Sequence, residues 1–159
     1  MSNVLSLEKK QTILIVDDTP DNLMLLSALL KDQYRLKIAT NGAKALQIAA
    51  TAPSPDIILL DVMMPELDGY ETCRRLKAAP TTADIPVIFL TAKIQPEDEE
   101  MGLNLGAADY ITKPISPAIV MARVATQLHL RNTRQLLQDQ NRHLEHLVRE
   151  HTGQMMKMQ

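Results

Sequence analysis

Five side chains able to do polar chemistry stand at the ends of apolar runs in this chain: Asp17 and Asp18 after Thr12–Val16, Asp61 after Ile57–Leu60, Thr91 after Pro86–Leu90, and Lys113 shortly after Asp109–Ile111. Two like charges 4 Å apart repel by about 4 kcal/mol at an effective dielectric of 20, so three carboxylates brought together either hold a proton or bind a cation. Magnesium is the natural guest, because it takes hard oxygen ligands and keeps positions for water and phosphate oxygens. No Cys or His stands at these run ends to favour zinc or a softer metal. Lys113 would add a compact positive charge and Thr91 a hydroxyl donor. Acids, a divalent cation, an ammonium and a hydroxyl together make a phosphoryl-binding site, since phosphoryl transfer is accelerated by positioning and by stabilising charge on the equatorial oxygens. An aspartate is a competent nucleophile there. By itself, the Asp17-Asp18 pair would equally serve to cap or solubilise the turn that follows it.

The elements that must position these groups alternate strand and helix. Ile57–Leu60 is too short for a helix and too continuously apolar for a sheet with one wet face, which is the pattern of a buried parallel strand. Thr12–Val16 and Pro86–Leu90 read the same way, Tyr34–Ala39 alternates as an edge strand does, and Asp109–Ile111 is a short fifth strand. Between them, Thr19-Pro20 supplies a cap and a first-turn proline for a helix carrying Leu23, Leu26, Leu29 and Leu30. Asn41-Gly42 opens an Ala-rich helix that ends before Pro53, Asp68-Gly69 turns into a helix over about Tyr70–Ala79, and Pro96–Leu105 is an acidic helix stopped by Gly106. Ser116-Pro117 opens the last helix. Five strands alternating with five helices predict an α/β fold, a doubly wound parallel sheet covered on both faces, whose strand tips share one edge. Ligands bind at that edge. If the first and third strands are neighbours, about 4.8 Å apart, Asp17, Asp18 and Asp61 converge.

Composition excludes several classes. The 159 residues are 45% hydrophobic and 23% charged with a formal charge of −2, which suits one globular domain with chain to spare and argues against a nucleic-acid partner. Met1–Lys10 lacks the pattern of a signal peptide, and no apolar run approaches the roughly 20 residues that span a bilayer, so no membrane association and a cytoplasmic location are expected. The single Cys73 falls in a predicted helix and suits a packing role in a reducing compartment.

Taken together, Asp17-Asp18, Asp61 within Asp-Val-Met-Met-Pro-Glu-Leu-Asp-Gly, Thr91-Ala92, and Lys113-Pro114 with Tyr110 three residues earlier resemble the receiver domain of two-component response regulators. The resemblance spans residues 11–129, after an N-terminal tail of residues 1–10. It implies a flavodoxin-like sheet of strand order 2-1-3-4-5. It further implies that Asp61 is the phosphoacceptor, that Asp17, Asp18, Asp61 and the backbone carbonyl of Met63 hold Mg2+, that Lys113 pairs with the phosphoryl group, and that Thr91 bonds it. Tyr110 would be the aromatic switch partner of Thr91, and the Lys113–Pro114 bond would be cis, which only proline makes accessible at low cost. The Met63 side chain would bear on phosphoryl lifetime. The partner implied is a sensor histidine kinase or a phosphotransfer protein.

Residues 130–159 lie beyond such a domain. After Pro117 there is no proline or glycine until Gly153, so the last helix is expected to run on to about His151, roughly 54 Å at 1.5 Å per residue. Leu130, Leu137 and Leu144 recur every seven residues, with Arg134, Asn141 and Val148 at the alternating position. This is a heptad seam and predicts a homodimeric coiled coil that also serves as a linker. Arg134 and His151 within the seam, and Leu136 and Leu147 off it, favour the opposing picture of a solvated tail. The arginines here are interleaved with Asp139, Glu145 and Glu150, which makes no basic stripe for nucleic acid. His143 and His146 share a helical face without the ligand geometry of a metal site.

Two other functional classes compete with a signalling switch that catalyses nothing beyond phosphotransfer onto itself. The Arg-rich, Asn141-containing helix is similar to the join in regulators that continue into a cyclic-di-GMP phosphodiesterase of HD-GYP type, although no His-Asp or Gly-Tyr-Pro motif occurs here, nor the Gly-Gly start of a cyclase signature. A magnesium phosphohydrolase of haloacid-dehalogenase type needs Asp-x-Asp after its first strand, whereas this pair is contiguous.

Overall fold

Residues 10–92 and 96–157 are described by a computed structural model. The expected tail of residues 1–10 lies outside them except for Lys10, and so does the chain end at Gln159. The elements run β1 (Thr12–Val16), α1 (Pro20–Leu30), β2 (Arg35–Ala39), α2 (Gly42–Ala50), β3 (Ile57–Asp61), α3 (Gly69–Ala78), β4 (Val87–Thr91), α4 (Pro96–Asn104), β5 (Asp109–Thr112) and α5 (Pro117–Lys157). All five strands are parallel and lie in the order β2-β1-β3-β4-β5. This is the doubly wound parallel sheet that the alternation predicts, in the flavodoxin-like strand order that the resemblance implies.

Burial explains the continuous apolar runs. Every residue of β1, β3 and β4 is buried, whereas β2, at the edge, exposes Arg35 and Ile38. Because side chains alternate across a strand, Leu14, Val16, Ile58, Leu60, Val87 and Phe89 meet Ala45, Ala49, Cys73 and Leu76 on one face. Ile13, Ile15, Leu59 and Ile88 project to the other face, where Leu26, Leu30, Val120 and Val124 are also fully buried. Each such aliphatic side chain contributes about 1.5–3 kcal/mol by leaving water. Cys73 is part of the core, and burial pushes its thiol up to about 11, which leaves it a packing residue.

Local signals set the helix starts with one difference from expectation. Asn41 and Asp68 cap α2 and α3 by accepting from the N–H groups of Lys44 and Glu71, each at 2.8 Å. Thr19 occupies the cap position of α1, yet its hydroxyl makes no capping bond; the Asp17 carboxylate accepts the Thr19 N–H instead, at 2.9 Å. The last helix also departs from expectation, because it continues through Gly153 to Lys157. One glycine inside a helix costs about 1 kcal/mol relative to alanine, too little to stop a long run of good helix formers.

The chain divides into two compact units between Gln127 and Leu128. In the second, Leu130, Leu137, Leu144 and Val148 are between 50% and 64% exposed, and Asn141 is exposed between them. Leu136 and Leu147 are exposed as well. His146 Nε2 and Glu150 Oε1, one helical turn apart, approach to 3.0 Å.

Candidate phosphoryl and metal site

The parallel order places the acids together. Val16 of β1 pairs with Leu60 of β3, so Asp17 and Asp61, each the next residue, leave adjacent strands at the same level. Asp61 in turn pairs with Leu90, and Thr91 with Thr112, which brings Thr91 and Lys113 to the same edge. Backbone bonds from Asp17 N to the Ala39 carbonyl (3.2 Å) and from Lys113 N to the Thr91 carbonyl (2.8 Å) extend the pairing one residue past the strands. The groups are therefore mounted on the rigid ends of the sheet.

Their geometry is that of a cluster able to hold a cation. One carboxylate oxygen from each of Asp17, Asp18 and Asp61 lies within 4.8 Å of the others. Asp17 is fully buried and Asp61 2% exposed, while Asp18 stands in solvent. The Lys113 ammonium reaches between the two buried acids, 3.1 Å from Asp61 Oδ1 and 3.5 Å from Asp17 Oδ2. Met63 N–H also donates to Asp61 Oδ1, at 3.3 Å, and the Met63 side chain projects into solvent. Burial and the neighbouring Asp17 charge push the Asp61 carboxyl up to about 6, against the pull of the Lys113 hydrogen bond and charge. Three hard oxygen donors, two of them buried and without a nitrogen or sulfur ligand among them, fit magnesium.

Gly69 packs directly against the backbone at the end of β3. Its N–H donates to the Val62 carbonyl at 2.9 Å, and a Cβ at this position would collide with the backbone of Asp61 and Val62. In the sequence Asp68-Gly69 reads only as turn chemistry; the close approach becomes visible once α3 is packed.

Beyond Thr91 lies a row of rings. Tyr70 meets Phe89 edge to face with centroids 5.2 Å apart, and Phe89 meets Tyr110 at 5.7 Å. Tyr110 is 8% exposed and its hydroxyl donates to the Asp98 carbonyl in α4 at 2.9 Å. The seat exists because Gly102 has no side chain, since a Cβ there would coincide with the Tyr110 ring end and hydroxyl. Tyr110 thus lies inward against α4, a seat the sequence does not foretell. An isolated glycine inside a helical pattern was the available signal. A second residue missing from the sequence expectations is Asn22, whose amide bonds Asp17 Oδ2 at 3.2 Å. The expected cis bond at Lys113–Pro114 is present, together with another at Ala52–Pro53.

Residues 13–125 match the profile of the response regulator receiver domain. Over 148 residues the chain is 47% identical to a probable cyclic di-GMP phosphodiesterase of Vibrio cholerae, covering 93% of this chain and 33% of that protein. It is 49% identical over 113 residues to the response regulator PleD of Caulobacter vibrioides, covering 70% of this chain and 25% of PleD. The chain thus spans a third or less of the length of these two relatives. Among solved structures, it is similar to the receiver domain of the sensor histidine kinase PA1611 from Pseudomonas aeruginosa, which has a magnesium ion coordinated in its active site cleft. That likeness has a TM-score of 0.69 and 32% identity, and covers 76% of this chain and 98% of the other. A chemotaxis protein of Vibrio cholerae, CheY4, superposes with a TM-score of 0.70 at 28% identity, covering 74% of this chain and 98% of its own.

Proposed function

The chain belongs to the response regulator receiver family of two-component signalling, and we propose that Asp61 accepts a phosphoryl group from a sensor histidine kinase or phosphotransfer protein in a magnesium-dependent reaction. The observation that carries this reading is the meeting of three carboxylates within 4.8 Å with the Lys113 ammonium 3.1 Å from Asp61. An Asp61 oxygen forms the new P–O bond as the P–N bond to the partner's imidazole breaks, and the electron pair of that bond stays on the imidazole nitrogen. Magnesium, held by Asp17, Asp18, Asp61 and the Met63 carbonyl, would neutralise charge on the transferred oxygens. Lys113 pairs with the phosphoryl oxygens, and the Thr91 hydroxyl donates to them once the bond is made. Thr91 and Tyr110 together report the change to α4, a local charge biasing a packed two-state element.

Residues 11–129 form the receiver in this reading, and residues 130–159 form a parallel two-stranded coiled coil that makes the protein a homodimer and links it onward. The exposed Leu130, Leu137, Leu144 and Val148, with Asn141 among them, support it. The setting is cytoplasmic; among the described residues no helix is long and apolar enough to cross a membrane.

Incubation with acetyl phosphate and magnesium, read by intact mass, is expected to label the wild-type protein and leave Asp61→Ala unlabelled. Chelation of magnesium should suppress labelling of the wild type. Equal labelling of both proteins would remove Asp61 from the role.

One observation favours a further reading of the output. The similarity to the probable cyclic di-GMP phosphodiesterase covers 93% of this chain, against 70% for PleD, and so extends beyond the receiver into the C-terminal helix. In that reading the chain is the regulatory front of an enzyme-output regulator. A reading frame that continues past Gln159 into His-Asp and Gly-Tyr-Pro motifs would establish it, and an immediate stop codon would exclude it.

A further inference from the structure

Asp17 is held at both oxygens. The Thr19 N–H donates to Oδ1 at 2.9 Å, and on the Oδ2 side the Asn22 amide donates at 3.2 Å while the Lys113 ammonium stands 3.5 Å away. Asn22 lies in the first turn of α1, three residues after the Thr19 cap position, where asparagine as a cap would offer its oxygen to free helix N–H groups. Here it does the reverse, turning its amide nitrogen back to a carboxylate five residues earlier. The opposite orientation of the amide would set two oxygens against each other, so the donor role follows from the contact itself.

We propose that Asn22 is a positioning residue for the magnesium site, the neutral donor that keeps the Asp17 carboxylate aimed into the acidic cluster while the cation is bound. The inference rests on reading Asp17, Asp18 and Asp61 as that site. Of the two groups beside Oδ2, Lys113 carries a charge of the same sign as the incoming ion and would be repelled by it, and its shorter contact is with Asp61. Asn22 suffers no such repulsion. It fixes the carboxylate without cancelling the negative charge that attracts the metal, which a lysine or arginine at this position would do. Without Asn22, Asp17 would keep only the Thr19 N–H on Oδ1 once Lys113 had withdrawn, and its plane would have to be set again at every binding event.

The test is magnesium titration of the full chain by calorimetry, with wild type, Asn22→Ala, Asn22→Lys and the control Asp17→Asn. Asn22→Ala is expected to weaken magnesium about tenfold, the usual size for loss of a partner hydrogen-bonded to a metal ligand. Asn22→Lys should weaken it further even though it retains donors, because its charge opposes the ion. The rise in melting temperature that magnesium produces should shrink in the same order. With acetyl phosphate, the apparent KM for magnesium should rise in Asn22→Ala by more than the rate at saturating magnesium falls, a split that general loosening of α1 would not produce. If Asn22→Ala lowers the melting temperature without metal, Asn22→Ser, which keeps a short donor on the same turn, provides the comparison and should bind magnesium more tightly than Asn22→Ala. Magnesium affinity in Asn22→Ala within twofold of wild type overturns the proposal, as does an affinity in Asn22→Lys above that of Asn22→Ala. Wild type that does not bind magnesium, or Asp17→Asn that binds it undiminished, would instead bring down the site reading underneath.

Discussion

At the scale of single residues, the site stores an electrostatic cost. Asp61 titrates near 6 in the folded chain against an ordinary value of 3.8, chiefly because it is buried and next because Asp17 stands beside it. The folded state therefore binds this proton more tightly than the unfolded state, and without metal, stability falls as pH rises from about 4 to about 6 and stays lowered above that. Asp61→Asn removes the charge and should raise the metal-free melting temperature at pH 7.5 while changing it little at pH 4, as scanning calorimetry in chelator would show. A gain of equal size at both pH values would mean that the cost is steric and not one of charge. Carbon-detected NMR of the Asp61 carboxyl should place its midpoint near 6 without magnesium and lower with it, because a bound cation favours the ionised form. Glu71, exposed and paired with Arg74 and Arg75, is held down at about 2 and should remain ionised throughout that window.

At the scale of elements, α4 and β5 are joined by a socket. The Tyr110 hydroxyl sits where Gly102 has no Cβ and bonds the Asp98 carbonyl. Gly102→Ala should expel the tyrosine or bend the helix, at a cost of about 1–3 kcal/mol, the usual size for overpacking a filled space. The same substitution in a Tyr110→Ala background should be nearly neutral, because the clash has lost its partner, and urea denaturation of the four proteins gives the coupling directly. Additive effects would show that Gly102 acts through helix propensity alone. If phosphorylation of Asp61 acts through Thr91 and Tyr110, it would hold Tyr110 in this seat. Amide exchange with and without beryllofluoride should then show slower exchange in α4 on activation, and an unchanged segment from Thr91 to Pro114 would count against that coupling.

At the scale of the whole molecule, the 41-residue α5 exposes Leu130, Leu136, Leu137, Leu144, Leu147 and Val148 along its length. Light scattering is expected to find the full chain dimeric and a chain cut at Leu128 monomeric. Asn141→Leu should tighten association and relax the preference for two strands, since a buried asparagine sets register at some expense of stability. Leu137→Asp combined with Leu144→Asp should abolish it. Thr133, Gln138 and Gln140 at the flanking positions offer no strong ion pairs, so the association is expected to be modest and to strengthen with beryllofluoride. A full chain that stays monomeric at high micromolar concentration with and without it would make this segment a solvated helix.

The amino-acid sequence by itself determined the elements and the chemistry at their tips. Apolar runs such as Thr12–Val16 and Ile57–Leu60 are legible because strand periodicity and caps such as Asp68 act within a few residues, and the carboxylates, hydroxyl and lysine that follow those runs show which edge holds the site. Only the tertiary structure decided which tips meet. The pairing of β1 with β3 that joins Asp17 to Asp61, and the Lys113–Asp61 bond across 52 residues of chain, depend on how crossovers stack helices against the sheet, which no short window encodes. The same holds for Asn22, Gly69 and Gly102. Asn22 reads locally as a helix-start residue, Gly69 as a turn residue and Gly102 as a glycine inside a helix, and each matters because another element comes to rest against it: the tip of β1 for Asn22, the backbone after β3 for Gly69, the Tyr110 ring for Gly102. Periodicity records which face of an element is buried, while packing at van der Waals distance decides what that face touches.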